Sequence, residues 1–149
     1  MNVRGAKVAW AIGLLCLLAP GTSQSHHSFS AEFDPNAPVL LEGKVTKIEW
    51  INPHAWIHLD VPQPDETTIR WMVEGGTPNT LLRAGIDKNT LAIGTEVVVR
   101  GYQAKDKNCV PACKANGRDV TFPDGRKLFM GSSGTGAPRD GADPRERAR

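Results

Sequence analysis

The stretch VLLEGKVTKIEWINPHAWIHLDV, residues 39–61, decides how this chain is read. Val39, Leu41 and Val45 share one parity, whereas Ile48 and Trp50 share the other. Alternation of this kind marks a half-buried strand. A change of parity within one strand requires a bend or bulge, and Gly43 is the residue that tolerates it best. Asn52 and Pro53 then start a turn, because proline cannot donate to a ladder. Beyond the turn, Ala55, Ile57, Leu59 and Val61 alternate with Trp56, His58 and Asp60, which predicts a second strand with one face on a core.

Working outward, Pro62 to Glu66 reads as a loop. Ile69, Trp71 and Val73 alternate with Arg70, Met72 and Glu74 in a third strand that pairs with the second as a hairpin. Gly75 and Gly76 break it. Thr77 at an N-cap, Pro78 at the first helical position and Gly85 as terminator outline one short helix, and Asp87 caps a single further turn before Leu91. Gly94 to Ala104 is the fourth strand. After a loop holding Cys109 and Cys113, Asp119–Phe122 and Lys127–Met130 flank the tight-turn pair Asp124 and Gly125. The order is β-β-β-α-β-β, an all-β class with one short helix. With a bent first strand it matches a small five-stranded OB-like barrel, a scaffold that serves many ligands.

The two ends are read as something other than fold. Residues 1–25 carry Arg4 and Lys7, an apolar run from Val8 to Ala19, and a small polar stretch up to Ser25. A basic start, a short apolar middle and small residues at a cut site predict a signal peptide, and hence a periplasmic or secreted protein with no membrane attachment once the signal is removed. The domain is expected over residues 26–131, followed by a disordered tail, 132–149, dominated by Gly, Ser, Pro and charge.

The chain has 149 residues, 40% of them hydrophobic, enough for one domain with a modest core. Its 18 basic and 16 acidic residues give a formal charge of +2. The expected signal holds two of the basic residues and none of the acidic ones, so the remainder is neutral. A neutral domain lacks the basic field of a nucleic-acid binder, and no nucleic-acid partner is expected.

Cys109 and Cys113 remain after Cys16 leaves with the signal. In an exported chain, two cysteines four apart in a Pro-containing loop favour a local disulfide over half a metal site. All four histidines, His26, His27, His54 and His58, lie in the first half. Imidazole suits copper, zinc and nickel. Cleavage after Ser25 would make His26 the N-terminal residue, able to chelate through its amine and ring. Cleavage after Gln24 would put His27 third, where amine, backbone amides and imidazole enclose Cu(II) or Ni(II). His54 and His58 lie about 13 Å apart along one strand and cannot share an ion. His26, His27 and His54 are therefore the candidate metal ligands, with copper or zinc the expected ion. The alternative is that the histidines serve only structural roles, with Phe29 and Phe33 anchoring an N-terminal arm.

A second candidate surface is Trp50, Asn52 and Trp56, on and beside the first turn, where an OB-like face takes a small ligand, a sugar or a protein partner. Trp71 shares the parity of Ile69 and Val73 and belongs to the core. Gly75, Gly76 and Thr77 at a helix start are a weaker candidate for an anion. Glu32, Asp34, Glu49 and Glu74 supply carboxylates, but no spacing assembles a nucleophile, a base and an orienting partner, so a binding or accessory module is expected rather than an enzyme.

With these residues in view, the chain resembles a family of exported bacterial proteins known only as a domain of unknown function. The matching pieces are His26-His-Ser-Phe with Ala31-Glu-Phe-Asp, Gly43-Lys-Val-Thr-Lys-Ile-Glu-Trp-Ile-Asn-Pro-His54, Glu74-Gly-Gly-Thr-Pro-Asn, Gly94-Thr-Glu-Val, Gly101-Tyr-Gln-Ala-Lys and Asp124-Gly-Arg-Lys-Leu-Phe. The resemblance spans roughly residues 26–131 and rests most on the HHSF and NPH motifs. It implies an exported, OB-like domain and supplies no activity.

Overall fold

A computed structural model describes residues 29–131. The expected signal peptide, His26, His27 and the tail 132–149 lie outside the described residues. In chain order the elements are α1 (Phe29–Glu32), β1 (Phe33–Glu49), β2 (Trp56–Pro62), β3 (Thr68–Glu74), α2 (Pro78–Arg83), β4 (Glu96–Ala104), β5 (Cys113–Thr121) and β6 (Lys127–Phe129).

β1 is the strand on which the fold turns. Its first half pairs with β4 and its second half with β2, and Lys44 has a partner in each, Glu96 and Asp60. β2 and β3 form the expected hairpin, from Trp56↔Glu74 to Pro62↔Thr68. β5 lies antiparallel to β4 and parallel to β3, which closes β1, β2, β3, β5 and β4 into a ring. The expectation of five strands is corrected to six, since Lys127–Phe129 adds β6 alongside β5.

The bend in β1 also departs from expectation. The register shift against β2 falls between Val45 and Lys47, so Thr46 is the extra residue and Gly43 is not. That one-residue slip is what carries Ile48 to the same side as Val45. Gly43 serves a different purpose. A Cβ there would sit 2.6 Å from the Asp60 carbonyl oxygen, so the crossing of β1 over β2 admits no side chain.

The inside of the ring is apolar. Ile57, Leu59, Val73, Val99, Ala115 and Val120 are fully buried, with Trp71 nearly so, and Trp50 and Ile48 pack against them from the β1 end. Each large aliphatic side chain among them contributes about 1.5–3 kcal/mol by leaving water. Leu81 of α2 and Ile86 and Leu91 beyond it close the ring at the end where β3 finishes. α2 begins as the sequence predicts, with the Thr77 hydroxyl accepting from the Thr80 amide and Pro78 in the first turn. Asp87 caps the next turn by accepting from the amides of Asn89 and Thr90.

β5 is the principal surprise. The sequence predicts a strand only from Asp119, yet it begins at Cys113, and Ala115 through Val120 are all buried. Cys109 and Cys113 are joined as a disulfide at its entrance. On the far side, α1 lays a second, smaller apolar cluster against the ring: Phe29 meets Tyr102 edge-on at 5.6 Å and stacks with Phe33 at 5.8 Å.

Candidate functional site

The outward side chains of the ring form a row that runs across its strands. Reading the registers, Glu49 faces Trp56, Trp56 faces Glu74, Glu74 faces Asn116 and Asn116 faces Tyr102. An outward row on a small ring is ordinarily wet. Here Glu74, Asn116 and Tyr102 are buried, at 7%, 0% and 1% exposure, and Phe29 of α1 covers Tyr102.

Two histidine–glutamate pairs bracket Trp56. In the first, His54 is held in the turn that follows Asn52, whose bond to Pro53 is cis. Its Nδ1 lies 3.2 Å from the Gly75 carbonyl oxygen and 3.8 Å from Glu74 Oε1. A carbonyl only accepts, so Nδ1 carries a proton and donates it to Gly75. Glu74 Oε1 in turn accepts from Asn116 Nδ2 at 3.2 Å. The side-chain oxygen Oδ1 of Asn116 is buried, with no hydrogen-bond partner among the described residues.

The second pair sits on the open side of Trp56. His58 Nε2 is 3.1 Å from Glu49 Oε1, and the same oxygen accepts from the Lys47 ammonium. The hydrogen bond from Lys47 holds the Glu49 carboxyl below the usual range, and the neighbouring His58 acts in the same direction. Glu49 is thus a carboxylate, and His58 donates to it through Nε2.

The expected ligand residues separate on the structure. Trp56 is half-buried on the outer face between the two pairs, whereas Trp50 packs onto the core and Asn52 is exposed on the turn. His54 and His58 occupy different pairs on either side of Trp56. His26 and His27 lie outside the described residues, and no group of three His, Cys, Asp or Glu side chains suited to a metal occurs among the described residues. In the glycine turn the amides of Gly75 and Gly76 already donate to the Ala55 and Met130 carbonyls and are not offered to an anion. A Cβ on Gly76 would stand 2.9 Å from the Gly131 oxygen, so close backbone packing explains the pair of glycines.

Sequence reasoning named Glu49 and Glu74 as carboxylates but did not place a histidine beside each. Asn116 gave no signal, since nothing in Cys113–Arg118 alternates, and Tyr102, on the predicted fourth strand, joins the row only through its register with Asn116. A larger cavity, about 540 Å³, lies elsewhere, lined by Gly43, Asp60, Val97 and Phe122 among others, away from His54 and His58.

No curated protein and no solved structure matches the chain. A family model matches residues 14–111, a span that includes β1 to β4 and both histidine–glutamate pairs and ends before β5. On that match the chain belongs to the family of unknown function DUF6152.

Proposed function

We propose that the protein is an exported binding or accessory module that takes up a transition-metal ion, copper or zinc, through His54 and the N-terminal histidines His26 and His27. The observation that carries this reading is the hydrogen bond from His54 Nδ1 to the Gly75 carbonyl. Metal-binding histidines characteristically donate their other ring N–H to a carbonyl or carboxylate, which fixes the tautomer and orients the ligating nitrogen. Chain reach supports the partners. Phe29 rests on Tyr102, and Tyr102, Asn116 and Glu74 stand on three adjacent strands, about 10 Å across in all. His27 is two residues from Phe29 and His26 three, so their backbones extend at most about 7 and 10 Å from it.

The test begins with intact mass and N-terminal sequencing of the exported protein, with metal content measured on the same sample. Titration with Cu(II) and Zn(II) is expected to saturate at about one equivalent, and His27→Ala and His54→Ala each to remove most of that affinity. Uptake no greater than that of a variant lacking all four histidines would sink the reading.

A further inference from the structure

We propose a second metal site, for a soft monovalent ion of the Cu(I) or Ag(I) class, formed by His58 and Met72 on the outer face of the β2–β3 hairpin. It uses none of the residues of the reading above and stands or falls without it. His58 and Met72 are direct register partners. Residues opposed in an antiparallel pair have Cβ atoms about 4.5–5.5 Å apart. Both side chains point outward, since Ile57 and Leu59 flank His58, Trp71 and Val73 flank Met72, and all four neighbours are buried.

The ring of His58 is already set for ligation. Nε2 donates to the Glu49 carboxylate, which leaves the lone pair on Nδ1. The two ring nitrogens point away from one another. Glu49 lies on β1, so Nδ1 is turned off the β1 side of the ring, and β3 with Met72 lies across β2 from β1. Met72 adds a thioether on a flexible stem, a donor that selects soft ions such as Cu(I). It is half-buried on the outward parity of β3, between Arg70 and Glu74, while Met130 lies in the core. Two donors satisfy a closed-shell monovalent ion. Trp56, two residues before His58 on the same face, supplies an aromatic ring able to contact a cation.

Lys47 and Lys114 flank the pair in register, on β1 and β5. Glu49 offsets Lys47, Asp60 pairs with Arg70, and Glu74, on the same parity of β3 as Met72, offsets Lys114, so the neighbouring charge is balanced and the soft thioether selects the ion.

Ag(I) is the probe, because it needs no reductant and leaves the Cys109–Cys113 bridge intact. Free thiols of the full chain are alkylated first, so that Cys16 does not compete. Calorimetry and tryptophan emission are expected to show one equivalent bound with quenching. Met72→Leu, a swap that conserves volume, is expected to weaken Ag(I) binding roughly tenfold or more while leaving Cu(II) uptake and the melting temperature unchanged; loss of one of two donors is at least as costly as loss of an outer-shell partner. The double variant His27→Ala, His54→Ala is expected to keep the Ag(I) site. Ag(I) affinity unchanged in Met72→Leu, lost in the double variant, or absent from the parent protein would each overturn the proposal.

Discussion

β2 and β5 are strands of one ring, and they obey different rules. In β2 every second residue is buried and the rest look outward, so the sequence WIHLDVP alternates as its environment does. In β5 the sequence CKANGRDVT shows no alternation, yet six consecutive residues from Ala115 to Val120 are buried. β5 is paired along both edges, with β4 on one and with β3 and then β6 on the other. Its outward face is enclosed as well, so polar side chains there are buried, and most of their polar atoms meet protein partners rather than water. Asp119 accepts two hydrogen bonds from Arg100 and lies within 4.0 Å of both Arg118 and Lys127. Hydrophobic periodicity therefore measures the contrast between two faces, and it falls silent where both faces are covered.

The largest expected effect tests the covered side. Asp119→Ala leaves the guanidinium groups of Arg100 and Arg118 without their shared carboxylate, and loss of one partner from a buried ion pair costs about 3–5 kcal/mol. Denaturant unfolding measures it, and a loss of less than about 1 kcal/mol would place the cluster with ordinary surface pairs. On the alternating side, Leu59→Ala removes a fully buried inward side chain and is expected to cost about 2–5 kcal/mol with an unchanged m-value.

A smaller contrast separates outward residues of the two regions. Asn116→Ala deprives Glu74 of a buried donor, at about 1–3 kcal/mol. Arg70→Ala breaks an exposed pair with Asp60 and is expected to change stability by about 0.5 kcal/mol or less. Equal effects at the two positions would erase the distinction between a covered and an open outer face.

The mildest effect is on pH. Asp65, Asp87 and Asp124 all have carboxyls held below the ordinary value, Asp65 chiefly by the Thr67 hydroxyl and Asp87 and Asp124 by backbone amides. A folded-state value below the unfolded one contributes stability above the unfolded pKa and loses it as pH falls through the folded one. Melting temperature is therefore expected to drop between about pH 5 and pH 3, with a shallower drop in Asp87→Asn. A melting temperature that rises over that interval would contradict the assigned direction.

The legible parts of the molecule are those with an open face or a local cap. The β2–β3 hairpin, the Thr77 cap and the core set Ile57, Leu59 and Val73 follow from alternation and capping chemistry alone. The position of the β1 bulge was not legible, because a threonine at the slip leaves no mark and Gly43 offered a plausible but different reason for the parity change. The candidate site was half legible. His54 and Trp56 stand out in sequence, but their setting depends on Glu49, Glu74 and Met72, which only the strand register brings beside them. The Asn116 portion of the row was illegible for the same reason as β5 itself, and Tyr102, though on a predicted strand, is brought into the row only by its register with Asn116.

The parallel contact between β3 and β5 has a kinetic consequence. It joins residues far apart in the chain, with Glu74 and Asn116 separated by 42 positions. Closing the ring therefore requires a long loop to be drawn in before its contacts are rewarded, and topologies dominated by such pairings fold slowly, on the order of milliseconds to seconds. Until that step the charges of β5 remain in water, and the desolvation of Asp119 and Arg118 coincides with closure. Substitutions in the β2–β3 hairpin and in β5 should then divide between folding and unfolding rates in different proportions.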